Sequence, residues 1–382
     1  MLAGLGLLLL LLLLLLVRSV TRVRLSGRRS RNPVRGLNYL LNEAPDTDLD
    51  ALAAGLEVSD STLDAHLALG TLLRRRGEIE RAIRQHQGLL AGPRLGVEGR
   101  GRVELELARD YLAAGLLNRA ESLLGQLVKH SHLRQAALEQ MLEVHQRERD
   151  WHAAAGVARQ LADYDGDGVA RTLAHYLCEL ADEAWQAGDL TAARRFLEEA
   201  LQRDAKCVRA SMLVGRLELE AGRYRDAIVA LQRIREQDPR FLPEVLPQLL
   251  AAHHELGNDR DLLQFLDAAL ATHPSATLAA ELAQHHIRAG DPERARRLLA
   301  STLSRRPTLR ALQALLNHQA ASFEDPEAKA LMELRDASGR LLESVERYLC
   351  EACGFDGPVL HWQCPGCKAW GTTAPRDGIF GD

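Results

Sequence analysis

Aromatic side chains are scarce in this chain: Phe, Trp and Tyr together make up 4% of its 382 residues. Six cysteines are too few for a disulfide framework at this length. Neither sign of charge dominates, with 48 Lys and Arg against 52 Asp and Glu, and the net charge of −4 argues against nucleic acid as a partner. No H-E-x-x-H, G-x-S-x-G, P-loop or paired catalytic carboxylate pattern is found along the sequence. These absences point away from an enzyme. What is abundant is Leu, Ala and Arg, whose side chains lose little rotamer freedom in a helix.

The sixteen residues from Leu2 to Val17 carry no charge, and twelve of them are leucine. At roughly −0.5 kcal/mol per central Leu, membrane insertion is favoured by about 6 kcal/mol. A helix of this length spans about 24 Å against a hydrocarbon core of ~30 Å. Thinning of the bilayer or snorkelling by flanking Arg closes the gap. A cleaved secretory signal would place positive charge before the apolar run and small residues at a cleavage site after it. Here the positive charge follows, as Arg18, Arg22, Arg24, Arg28, Arg29, Arg31 and Arg35, with no acidic residue before Glu43. The run therefore reads as an uncleaved anchor, with its N-terminus outside and everything after Val17 on the cytoplasmic side.

From about residue 33 to 335 the pattern is almost entirely helical, and it repeats. Gly36-Leu-Asn-Tyr39 carries a G-x-x-Y core, and Gly70, Ala108, Leu142, Ala181, Gly215, Leu250 and Ala283 fall in the same position at steps of 34, 38, 34, 39, 34, 35 and 33. Seven residues after each of the positions from 70 onward come Gly77, Gly115, Arg149, Gly188, Gly222, Gly257 and Gly290. Gly there takes the left-handed conformation that ends a first helix. Five residues further on, Ala82, Ala120, Ala154, Ala193, Ala227, Leu262 and Ala295 let a second helix pack close. Pro239, Pro274 and Pro307 stop that second helix in three units. The spacing predicts about eight tetratricopeptide (TPR)-type helix pairs, in an all-α solenoid whose groove binds peptides or protein surfaces.

Three other features invite chemistry and receive plainer readings. Asp163-Tyr-Asp-Gly-Asp-Gly168 matches the first half of a calcium loop, but Ala174 stands where the bidentate Glu is needed, so it reads as an acidic inter-repeat turn. His253-His254 and His285-His286 are expected to be surface or groove residues. Cys178 and Cys207 read as single, small buried hydrophobes.

Near the C-terminal end, Cys350-Glu-Ala-Cys353 and Cys364-Pro-Gly-Cys367 are two C-x-x-C turns with ten residues between them. Four thiolates make a tetrahedral S4 site suited to one structural metal ion, Zn or Fe, and leave no ligand position open for hydrolysis. A segment of about 35 residues cannot fold on its own core, so the metal must supply folding energy. Gly354 permits the first turn, and Lys368 stands in its place in the second. Tyr348, Phe355, Trp362 and Trp370 are expected to pack around the turns or against the last repeat helix. The resulting division is a transmembrane anchor over 1–17, a basic linker over 18–32, repeats over 33–335, a connecting helix over 336–347 and a metal knuckle with its tail over 348–382.

Anchor, Arg cluster, repeats and knuckle, in this order, resemble the lipopolysaccharide assembly protein B family of Gram-negative bacteria. The resemblance is carried by Gly36–Leu41, by Glu78–Gln87 (EIERAIRQHQ), by Ala108–Gly115 and by Cys364–Trp370, and it covers essentially the whole chain. It implies a rubredoxin-like metal knuckle with Cys350, Cys353, Cys364 and Cys367 as ligands. It further implies a regulatory adaptor at the inner membrane, one that helps the membrane-bound protease FtsH degrade LpxC, the deacetylase that commits lipid A synthesis. An inner-membrane lipopolysaccharide sensor is then a further partner. A homodimer is compatible with the sequence, and a general assembly scaffold or an electron-transfer protein with iron in the knuckle are the competing readings.

Overall fold

A computed structural model of the chain describes residues 57–92, 95–162, 164, 166–320 and 327–382. The expected anchor, the basic linker and the unit begun by Gly36 lie outside the described residues, as do parts of the Asp163–Gly168 turn. Among the described residues no helix is long and apolar enough to cross a membrane. The chain divides into two compact units, residues 1–144 and 145–382.

In the first unit, α1 (Leu63–Arg75) and α2 (Ile79–Ala91) form one helix pair, α3 (Val97–Ala113) and α4 (Leu117–Leu127) the next, and α5 (Arg134–Glu148) carries the division between the units. Leu105, Leu112, Leu124, Leu127 and Val144 are among its buried core residues. Within that apolar setting sits a charged network. Asp110 on α3, with a fully buried side chain, accepts a hydrogen bond from Arg74 on α1 at 2.6 Å and lies 2.5 Å from Nδ1 of the buried His86 on α2. Glu106 holds the other end of the Arg74 guanidinium at 2.8 Å. Burial opposes both charges, yet their mutual hydrogen bonds raise the Arg74 pKa and lower that of Glu106. The ring of His86 fits only because residue 70 is Gly: a Cβ there would come within 2.3 Å of it.

The second unit contains α6 (Trp151–Leu161), then α7 (Gly166–Gln186) with α8 (Leu190–Arg203), and α9 (Val208–Glu220) with α10 (Tyr224–Gln232) and the short α11 (Ile234–Gln237). A 3₁₀ turn, Pro239–Phe241, leads into α12 (Leu242–Glu255), which pairs with α13 (Asp259–Thr272). Then come α14 (Ala276–Arg288) with α15 (Pro292–Arg305), and α16 (Leu309–Ala320) with α17 (Glu327–Glu343). A single helix thus runs through residue 336, where the sequence reading placed a boundary. Helix α7 already begins at Gly166, so the second half of the calcium-like stretch is helical.

The periodic positions behave as their spacing predicts. Gly77, Gly115, Gly188, Gly222, Gly257 and Gly290 all have φ between +61° and +83°, and the exception in residue type, Arg149, has φ +58°. The chain needs the left-handed turn at that place whatever residue occupies it, because the second helix must fold back on the first. Ala82, Ala120, Ala154, Ala193, Ala227 and Ala295 are completely buried at the crossing. At Gly215 a Cβ would come within 2.3 Å of Leu231, so the Leu231 side chain packs directly on the backbone of Gly215.

After α17 the chain changes character. β1 (Tyr348–Cys350) lies between β2 (Asp356–Gly357) and β3 (Thr373–Pro375) in a small antiparallel sheet. The register pairs Leu349 with Asp356 on one side and with Ala374 on the other.

Candidate metal centre and its docking seam

Each C-x-x-C segment closes by the same two backbone hydrogen bonds. The amide of Gly354 donates to the Cys350 carbonyl and that of Cys350 to Phe355; likewise Lys368 donates to Cys364, and Cys364 to Ala369. The fifth residue of each turn needs positive φ, +79° at Gly354 and +61° at Lys368. Lys368 therefore accepts the strain that Gly354 avoids, and the two turns remain equivalent.

The four Sγ atoms lie within 4.8 Å of one another. Cys350 is 3.8 Å from Cys367, and Cys353 is 3.6 Å from Cys364. With metal–sulfur bonds of about 2.3 Å, the edge of a tetrahedral S4 site is about 3.8 Å. The arrangement thus fits a closed four-thiolate site for Zn or Fe. Cys350 and Cys364 are buried, while Cys353 and Cys367 are exposed. Burial works to raise the Cys350 thiol, but the Thr372 hydroxyl and the Cys353 and Ala352 amides hold it down at about 6. The Phe355 amide lowers the Cys353 thiol, but local desolvation within the cluster and the three neighbouring thiols outweigh it, and it stands at about 12. Binding a metal would release the protons these thiols share.

The knuckle is docked on the repeats: of the aromatics expected around the turns or against the last repeat helix, Trp362 and Trp370 instead meet earlier elements, while Phe355 stays among the turns. Trp370 enters a cleft made by α5, α6 and α7. Its ring meets Trp151 edge-on at 5.8 Å and Tyr176 at 5.6 Å, and it stacks on His175 at 5.4 Å. Its indole N–H donates to Gln146 at 2.9 Å. Burial pushes His175 down to about 3, with Arg209 adding to the effect, so the ring is neutral where it faces the indole. Trp362 stacks on Phe241 at 5.7 Å. Phe355 stays within the knuckle, against His361. The Tyr348 hydroxyl donates to Glu244 of α12 at 2.8 Å, and burial together with Glu244 raises it to about 12.

Charged pairs continue the seam. Arg347 reaches Glu244 at 2.7 Å, Arg240 reaches Glu351, and Arg306 reaches Asp377. Asp382 accepts from the Ser275 and Thr277 hydroxyls and from the Thr277 amide at the start of α14. Sequence periodicity missed all of these partners, because each pair lies more than 70 residues apart. Only the isolated aromatics near the cysteines hinted at a docked face.

The remaining candidates separate. His253 is buried, with Nδ1 3.1 Å from the Asn258 carbonyl. His254 and His285 line a groove of about 350 Å³ between α12, α13 and α14, with Leu250, Leu262 and Leu266 also lining it and with Asp259, Glu281 and Arg288 beside them. Cys178 and Cys207 are buried, but they are not isolated: burial and the neighbouring Cys207 thiol push the Cys178 thiol up, with Cys178 on α7 and Cys207 at the N-cap of α9. Two residues so far apart in sequence meet because α7 and α9 belong to successive pairs.

Comparison with known proteins agrees with these two parts. The tetratricopeptide repeat family matches residues 184–252, and the rubredoxin metal binding domain matches residues 348–375. Lipopolysaccharide assembly protein B of Escherichia coli (strain K12) is 35% identical over 357 residues, 93% of this chain and 92% of that protein. The protein of the same name from Haemophilus influenzae is 29% identical over 360 residues, 92% of this chain and 91% of its own. Among solved structures, a tetratricopeptide repeat protein from Parabacteroides merdae is similar over 72% of this chain and 99% of its own, at 13% identity and a TM-score of 0.34.

Proposed function

The chain belongs to the lipopolysaccharide assembly protein B family, and from that premise we propose that it is a non-catalytic adaptor that restrains lipopolysaccharide synthesis by bringing the deacetylase LpxC to the membrane protease FtsH. The observation that carries this reading is the groove between α12, α13 and α14. Its apolar lining and charged neighbours suit an extended or helical protein segment. The apolar run Leu2–Val17 is the anchor, single-pass with its N-terminus periplasmic, and it holds the repeats on the cytoplasmic side of the inner membrane. Anchoring raises the effective concentration of a bound client near a membrane protease. An inner-membrane lipopolysaccharide sensor acts on the same repeats. Residues 33–335 are the repeat region, and residues 348–382 form the metal module. In this module Cys350, Cys353, Cys364 and Cys367 hold one structural metal ion, zinc in the cell. The ion's role is to fold the module against the repeats.

The test is the half-life of LpxC in cells carrying the full chain, a chain lacking residues 1–17, or none. The adaptor reading expects rapid turnover only with the anchored chain. Wild-type lipopolysaccharide levels restored by the soluble truncation would refute it. Unchanged LpxC turnover would instead favour a general assembly scaffold. Because S4 geometry also suits iron, metal analysis of natively expressed protein addresses the electron-transfer alternative, which zinc alone would remove.

A further inference from the structure

Where the docked knuckle meets α12, α14 and α16, four arginines converge on one small cavity of about 30 Å³: Arg240, Arg310, Arg347 and Arg376. A volume of that size holds two or three water-sized groups. Three of the four guanidiniums are engaged by carboxylates: Arg240 by Asp238 and Glu351, Arg347 by Glu244, and Arg376 by Asp356. The fourth, Arg310 in the first turn of α16, makes no hydrogen bond or ion pair among the described residues, although its side chain lines the cavity. Of the two carboxylates lining the cavity, Glu244 is engaged by Arg347 and Tyr348, and Asp382 is directed to Ser275 and Thr277. The Asp382 contact is itself informative, because an oxyanion already sits on the amide and hydroxyls at the start of α14, beside the cavity.

A half-buried guanidinium with no counter-ion is costly unless something anionic joins it. Its planar fork of donors matches a tetrahedral oxyanion bidentately. We infer that the cavity at the seam between repeats and metal module binds one phosphate group, the terminal phosphate of a monoester or of pyrophosphate, with Arg310 as its principal ligand and Arg376 and Arg347 completing the site. Arg310 belongs to the repeats, and Arg347 and Arg376 to the metal module. An anion held by both sides therefore ties the two together, whichever client the repeats carry.

The source of the phosphate is a free metabolite or a lipid headgroup, and one experiment separates them. The metal-loaded full chain is reconstituted in nanodiscs of phosphatidylcholine and titrated calorimetrically with pyrophosphate and with inorganic phosphate. One equivalent binds saturably, more tightly at pH 7.5 than at pH 5.5 because the second phosphate ionisation lies near pH 6. Arg310→Gln weakens binding at least ~10-fold, Arg310→Lys recovers part of it, and Arg296→Gln, on an exposed face, changes nothing. Metal content and melting temperature confirm that each variant is folded. The titration is repeated in discs containing phosphatidic acid. Loss of pyrophosphate binding in those discs identifies the headgroup as the occupant, and unchanged binding identifies the free phosphate. Absence of saturable binding by the wild-type chain in both discs, or equal affinity in Arg310→Gln, would overturn the inference.

Discussion

Replacing Trp370 with alanine should separate docking of the metal module from its folding. Trp370 stands three residues beyond Cys367, and its ring packs in the cleft of Trp151, His175 and Tyr176. Truncating a buried Trp costs about 3–5 kcal/mol, and the half-buried setting here puts the loss near the lower end. The indole hydrogen bond to Gln146 adds about 1 kcal/mol, although Gln363 still reaches that same oxygen at 3.3 Å. A loss of roughly 3–4 kcal/mol lowers Tm by about 6–16 °C for a unit of this size. The four cysteines keep their turns, so the variant should retain one equivalent of metal. Cys364→Ser should lose both the metal and the docking. The assay is calorimetric melting with metal analysis and trypsin cleavage between α17 and β1, comparing wild type, Trp370→Ala and Cys364→Ser. A Tm within 1 °C of wild type and unchanged protease protection in Trp370→Ala would show that the aromatic cleft contributes nothing to docking. Loss of metal from Trp370→Ala would show that the module cannot fold undocked.

Arg149→Gly should stabilise the second unit by about 0.5–1 kcal/mol, because a left-handed Arg costs about 1–2 kcal/mol and glycine gives back part of that as chain entropy. A urea midpoint no higher than that of wild type would contradict it. In the first unit, Asp110→Ala leaves Arg74 with Glu106 alone and His86 without its buried partner, and should cost about 3–5 kcal/mol by denaturant titration. Acid should loosen the seam through His175. Its pKa is about 3 in the fold against 6.5 in the unfolded chain, so only the unfolded state takes up the proton between those values. Stability from this group is complete above pH 6.5 and falls as pH drops, by about 1.4 kcal/mol at pH 5.5. The Tm difference between pH 7.5 and 5.5 should therefore shrink in His175→Leu, and an equal difference in both proteins would refute the assignment.

Much of this could be read from spacing alone. The left-handed turn at Arg149 was legible because the 34-residue period places it where six other units have Gly, and a helix pair must reverse there. The four-sulfur cluster was legible because a C-x-x-C turn positions its own sulfurs: the hydrogen bonds that shape it span four or five residues, and Lys368 takes the same conformation as Gly354 under that local constraint. Short-range geometry repeats, and repetition shows in a sequence.

The partners of Trp370, Tyr348, Arg306 and Asp382 could not be read in the same way. They lie 71 to 224 residues away, and each pair occurs once, so no period marks them. The same holds for His86 against Asp110 and Arg74, where residue types ordinary on a helix surface became a buried network once three helices closed over them. Cys178 and Cys207 looked like separate thiols until α7 and α9 met, and nothing in the spacing singled out Arg310, which lines the seam without a carboxylate partner. Local backbone geometry determines which residues a turn or a metal can use. Which surfaces then bury one another depends on complementary shape and charge between faces far apart in the chain, and that appears only when the helices and the metal module are packed together.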